Sequence, residues 1–224
     1  MICRSLLLLL LCGLLCTNVA FAQHTQFYFS PHAATQGFGA ELKFVPQPGL
    51  NIRGGASLLH LKFNTSYTVR EEPADARVKV DLANLHLMFD VHPFISSTTF
   101  ARKFLLTAGM AYFWEDEGNA IARYKGTYHY EGLEMAAEEV GELYGNVAWK
   151  KAAPFLGFGF ENPHPRNKVN IGFALGAYYM GKPEVTVTGT KYLTDTESDE
   201  AEFRENVSNF RFLPVLQLNL NIAL

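Results

Sequence analysis

The end of the chain alternates residue by residue. Leu216, Leu218, Leu220, Ile222 and Leu224 take turns with Gln217, Asn219, Asn221 and Ala223. A period of two places one set of side chains on each face of a β-strand. The strand finishes the sequence on its apolar phase, a habit of outer-membrane barrels and a frayed edge in a soluble protein. Earlier segments read the same way: 25–30, 37–45, 51–62, 79–91, 103–113, 152–160 and 168–180. In 79–91 the apolar phase sits at Val80 and Leu82, then moves to Leu85, Leu87, Phe89 and Val91. That one-residue slip predicts a β-bulge near Ala83 and Asn84.

The connectors differ in length. Residues 46–49, 92–100 and 162–167 are compact and rich in turn formers, whereas 64–77, 115–149 and 182–209 are long and polar. Only the link around 31–36 is short where a long one is expected. Short helical turns are conceivable at 134–140 and 197–206.

Alternation alone does not say which face is inside. A soluble calycin-like barrel alternates too, with its apolar face around a ligand. The polar phase here is mostly Gly, Ala, Asn, Ser and Thr with isolated charges, which suits the cramped interior of eight strands. Phe27, Phe44, Phe104, Tyr112, Trp114, Phe160, Tyr179 and Phe212 fall near strand ends, where aromatic girdles belong. The prediction is an all-β fold: an eight-stranded antiparallel up-and-down transmembrane β-barrel with short periplasmic turns and long external loops.

The beginning of the sequence supports export. Arg4, the apolar run from Leu6, and Ala20-Phe21-Ala22 form the three-part layout of a secretory signal peptide. Residues 1–22 are expected to be removed and 23–224 to form one barrel domain. All three cysteines, Cys3, Cys12 and Cys16, lie in the leader, so the mature chain has no thiol chemistry. The net charge of -3 and the lack of a basic stripe argue against nucleic acid.

The second half carries a more specific likeness. Ala153-Pro154-Phe155-Leu156-Gly157-Phe158-Gly159-Phe160, the stretch from Gly176 to Val185, and 203–215 follow one another as in the ornithine-uptake, or carbapenem-associated, outer-membrane porin type. The chain resembles that family over about 140–224, and Phe89-Asp90-Val91-His92-Pro93-Phe94 is a weaker echo. Leu224 stands where those barrels usually end in Phe or Trp, and Glu184 where they carry lysine. The resemblance implies an eight-stranded barrel in the outer membrane of a Gram-negative bacterium and, in some relatives, entry of basic amino acids.

Glu41, Lys43, Arg53, Asp90 and Arg211 fall on the lumen phase. Buried charges must pair or line water, so these form either a plug of salt bridges or a charged constriction. His86 is a candidate partner for Asp90 on the same face. The long loops are acidic, with Glu115, Asp116, Glu117, Glu138, Glu139, Asp195, Glu197, Asp199 and Glu200 prominent. One-signed charge at a mouth concentrates counter-charged solutes, and equally describes a solvated surface. No catalytic constellation, cofactor motif or metal-ligand spacing stands out, and no enzyme is expected. The expectation is a porin-like channel for small, cationic, amino-acid-like solutes. The alternatives are a closed structural or surface-interaction barrel and a soluble ligand-binding barrel. Expected partners are outer-membrane lipid, lipopolysaccharide and the barrel-assembly machinery.

Overall fold

The computed structural model describes residues 26–69, 72–130, 133–163, 168–193, 204–205 and 207–224. The expected signal peptide lies outside them, as do Asp195, Glu197, Asp199 and Glu200. The strands are β1 (Gln26–Ala34), β2 (Gly37–Gln47), β3 (Leu50–Val69), β4 (Glu72–Val91), β5 (Phe104–Tyr124), β6 (Thr127–Tyr130), β7 (Leu133–Ala136), β8 (Glu142–Ala148), β9 (Ala152–Phe160), β10 (Val169–Tyr179), β11 (Glu184–Gly189) and β12 (Phe212–Ala223). A helical turn, α1 (Ala137–Val140), follows β7.

Eight strands close a ring in the order β5–β4–β3–β2–β1–β12–β10–β9, with β9 returning to β5. All pairs are antiparallel. The links at 48–49 and 92–103 and the connection from β9 to β10 share one end, the turn end. The long links share the other, the loop end. The β1–β2 link there is a two-residue turn completed by Gly37 at φ 109°, so the short connection read around 31–36 is real.

The faces sort as a lipid-embedded barrel requires. On β12, Leu216, Leu218 and Leu220 are exposed outward, while Gln217, Asn219 and Asn221 are buried in the lumen. The soluble ligand-binding alternative needs the reverse. The aromatics form girdles. Phe27 stacks near Phe44 and Phe104 meets Phe160 at the turn end, while Tyr179 meets Phe212 at the loop end.

Two expectations need correction. The polar stretches 64–77, 115–149 and 182–209 are not simply loops. β3, β4 and β5 run on into them, and β8 and β11 lie within them. β5 changes partner along its length: Phe104 to Tyr112 pairs with β9, and Glu117 to Arg123 pairs with β8, which pairs with β11. The far halves of β3, β4 and β5 thus join β8 and β11 in a five-stranded sheet that stands beyond the ring.

A bulge does fall at Ala83 and Asn84, but in the ladder to β5 and with its extra residue on β5, so the slip along β4 itself has a different cause. β4 keeps unbroken register with β3 from Leu50↔Val91 to Val69↔Glu72. The irregularity lies towards β5, where Asn84 faces Phe113, Ala83 faces Glu115, and Trp114 is the extra residue. What changes at Ala83 is which face is apolar. Leu85, Leu87, Phe89 and Val91 point to lipid. Beyond, Val78, Val80 and Leu82 lie on the face that continues the lumen, and Arg77, Lys79 and Asp81 on the face that continues the lipid surface. The inversion marks where the strand leaves hydrocarbon for water.

Candidate functional site

The lumen is built by inward residues of every ring strand. Arg53 on β3 is its hub. Arg53 Nε and Nη2 donate to the two Asp90 carboxylate oxygens at 2.7 and 3.0 Å, and Nη1 donates to Glu41 at 2.8 Å. Thr107 donates its hydroxyl to Asp90 at 2.8 Å. Gln217 donates its amide to Glu41 at 2.8 Å, and His86 Nε2 lies 3.1 Å from the same carboxylate oxygen. Lys43 sits directly across from Arg53 in the β2–β3 register, where like charges repel. It turns the other way and bonds Glu161 at 2.5 Å. All of these groups are buried.

Of the five lumen charges read from the sequence, Glu41, Arg53 and Asp90 meet at the hub, and Lys43 is buried in the same lumen but pairs with Glu161. Arg211 does not join them: it precedes β12, and its Nε donates to the Ser208 carbonyl at 3.1 Å. His86 bonds Glu41 and Asn84 rather than Asp90. Glu161 escaped sequence reading because it follows β9 in a turn, outside any alternation. A basic lumen residue without an adjacent acid, Lys43, was the available hint.

Two glycines let side chains reach across a whole strand. Gly39 on β2 lies opposite both His32 on β1 and Ser57 on β3. His32 Nε2 and Ser57 Oγ meet over it at 2.8 Å. Gly55 on β3 lies opposite both Glu41 on β2 and His86 on β4, which meet over it in the same way. A Cβ at Gly55 would come within 2.6 Å of Glu41 Cγ.

Ser57, His32 and Glu41 stand in the order of a nucleophile, base and carboxylate, an arrangement not apparent in the sequence. His32 Nδ1 is 3.7 Å from Glu41, beyond hydrogen-bond reach, and Glu41 is held by Arg53, His86 and Gln217. Ser57 has no exposed surface. The trio acts as a packing pin across three strands.

Towards the loop end the polar layer gives way to an apolar cap of Met88, Phe113, Phe155, Tyr178, Met180 and Val215. Phe113 meets Tyr178 edge-on at 5.4 Å, and Phe155 lies 4.8 Å from the same ring. Phe113 and Tyr178 are both fully buried, so an aromatic layer lies above the charged one.

The acidic residues at the mouth divide between faces. Asp116 is buried on the lumen side, and its burial raises its carboxyl above the usual range. Glu115 and Glu117 face outward on β5, with Glu117 opposite Asp81. His60 Nε2 lies 3.6 Å from Glu115 and 3.9 Å from Asp81. Glu138 and Glu139 belong to α1, and Glu139 is exposed. Further out, Ser66 donates its hydroxyl to Asp75, directly opposite it, at 2.7 Å. That bond holds the Asp75 carboxyl below its ordinary range. Among the described residues no group of three or more His, Cys, Asp or Glu could hold a metal ion.

No family model matches the sequence, and no curated protein matches it. Solved structures do match the fold, among them two from Acinetobacter baumannii. "Crystal Structure of Acinetobacter baumannii CarO" aligns with a TM-score of 0.60 at 22% identity, over 87% of this chain and 96% of that one. The fold is that of CarO. "Crystal structure of Acinetobacter baumannii CarO2" aligns with a TM-score of 0.62 at 21% identity, over 90% of this chain and all of that one. CarO is the carbapenem-associated type to which the likeness in 140–224 pointed. The CarO match extends the likeness from the second half to nearly the whole barrel.

Proposed function

We propose that this chain is an exported outer-membrane barrel with a closed lumen, which holds its five-stranded sheet at the cell surface for interaction there. The observation that carries this reading is the double plug. Arg53 uses three charge-assisted bonds to tie β2, β3 and β4 together along one wall, Lys43 reaches across the bore to Glu161 at the end of β9, and Phe113 and Tyr178 fill the space above. Eight strands leave an interior that side chains can fill, and here they do. A water-filled pore would leave such residues wet. The reading involves no catalysis and no cofactor, and assumes folding by the barrel-assembly machinery after removal of 1–22.

Planar-bilayer recording tests it. The purified protein is expected to give no steady conductance, and combined replacement of hub and cap, Arg53→Ala with Phe113→Ala, to open one. Steady conductance from the unaltered protein would overturn the closed reading.

A second reading is passage of small cations such as basic amino acids, with Arg53 and the cap moving aside. Its support is the interior charge: Glu41, Asp90 and Glu161 outnumber Lys43 and Arg53, and Asp116 lies at the mouth. Accumulation of labelled ornithine by cells with and without the protein separates the two. Faster entry with the protein favours passage.

A further inference from the structure

The face that continues the lipid surface above the ring changes abruptly in chemistry. Leu58 on β3 and Leu85 on β4 are its last exposed aliphatic positions. Two residues beyond Leu58 comes an acidic row, Asp81, Glu115 and Glu117, with His60 beside it. Two residues further on, Lys62 and Lys79 stand directly opposite each other across β3 and β4. Arg77 follows on β4 on the same face. Like charges directly opposite on a sheet repel, and here the acidic row beside Lys79 offsets part of that repulsion. Lys79 is ion-paired with Asp81, while Lys62 has no ion pair among the described residues. Lys62 and Arg77 are exposed, and the Lys79 side chain is about half exposed.

The position along the strand is informative. From Leu58 to Lys62 the strand advances roughly 13 Å, and less along the membrane normal once barrel tilt is counted. That depth belongs to lipid headgroups. Below, on the same wall, a shallow apolar trough of about 670 Å³ has a floor of Ala40, Gly54 and Ala56 between Leu42 and Leu87. Small residues there let chains of lipid lie close to the barrel. A lipid seated on this wall would rest its tails in the trough and bring its headgroup to the lysines.

We propose that the β3–β4 wall docks a phosphate-bearing glycolipid of the outer leaflet, with Lys62, Lys79 and Arg77 gripping phosphate and the Ala40–Gly54–Ala56 trough receiving acyl chains. The occupant follows from charge complementarity together with continuity with the lipid-facing band. Acidic residues nearer the membrane repel a bare phosphate at their own level, so the headgroup is gripped at the lysine row. The proposal rests on the transmembrane placement of the barrel and is independent of whether the lumen conducts.

The test is binding of lipopolysaccharide to detergent-purified protein, followed by thermophoresis. Lys62→Gln with Lys79→Gln is expected to weaken binding on the order of tenfold to thirtyfold. Arg77→Gln should weaken it further, and Lys168→Gln, at the turn end, should leave it unchanged. Dephosphorylated lipopolysaccharide should bind the unaltered protein as weakly as intact lipopolysaccharide binds the triple variant, with Lys62, Lys79 and Arg77 all replaced by Gln. All these residues are exposed, and heat-modifiable gel migration checks that each variant is folded. Undiminished binding by the double variant, indifference to phosphate removal, or inorganic pyrophosphate binding as tightly as the glycolipid would each overturn the proposal. A conductance result leaves this outcome untouched.

Discussion

His32 on β1 reaches Ser57 on β3 across the intervening strand, at 2.8 Å, over the bare backbone of Gly39. A Cβ at Gly39 would lie 2.6 Å from His32 Nε2 and 2.0 Å from the Ala56 carbonyl. Gly39→Ala is therefore expected to break the bridge and push β2 and β3 apart. Overpacking of this kind costs about 1–3 kcal/mol. Urea unfolding in micelles, followed by Trp fluorescence, should show a lower midpoint. An unchanged midpoint would mean that the bridge does not constrain the strands.

The hub should be far more sensitive. Arg53→Ala leaves Glu41 and Asp90 buried without their cation, a loss of about 3–5 kcal/mol. The triple change Arg53→Met, Glu41→Gln and Asp90→Asn removes the charges together and should recover much of that loss. If the single variant unfolds at the same urea concentration as the unaltered protein, the network is not a structural plug.

The inversion of faces on β4 predicts a sharp depth dependence. Leu87→Lys places a charge on the lipid face and should destabilise by about 2–4 kcal/mol. Lys79→Leu, eight residues further out, should change stability little. Folding equilibria in lipid vesicles measure both. Equal costs would misplace the membrane boundary at Ala83.

Ser66 and Asp75 give a pH prediction. The hydroxyl bond lowers the Asp75 pKa in the folded protein. A depressed carboxyl contributes stability that is present above the unfolded value and lost as pH falls through the folded one. The hairpin tip should therefore loosen below about pH 4. Carboxyl NMR should show Asp75 titrating below ordinary aspartate, and Ser66→Ala should move it back up.

The ring was legible because each of its strands has one apolar and one small or polar face, so period two survives in the sequence. Glu41, Lys43, Arg53 and Asp90 could be assigned inward on that ground alone. The five-stranded sheet was not legible. Asn64, Ser66 and Arg77 on one face are exposed, and Thr65, Ala74 and Ala76 on the other are small or modest, so little hydrophobic contrast remains there. Cross-strand partners such as His32 and Ser57 depend on register, which alternation within one strand does not encode. Glu161 depends on a turn folding back beneath the bore.

Pro31 lies within β1, which closes the cylinder against β12. The seam pairs Tyr28 with Ala223 and Phe29 with Ile222, then resumes at His32 and Asn219. Proline brings no N–H, so one rung of this ladder is unavailable. Ser30 instead donates its hydroxyl to Asn221 at 2.6 Å, a side-chain rivet beside the missing rung. The wall thus lacks one backbone rung where the first strand meets the last. Sideways parting of the cylinder, whether during insertion or under stress, would begin along that line.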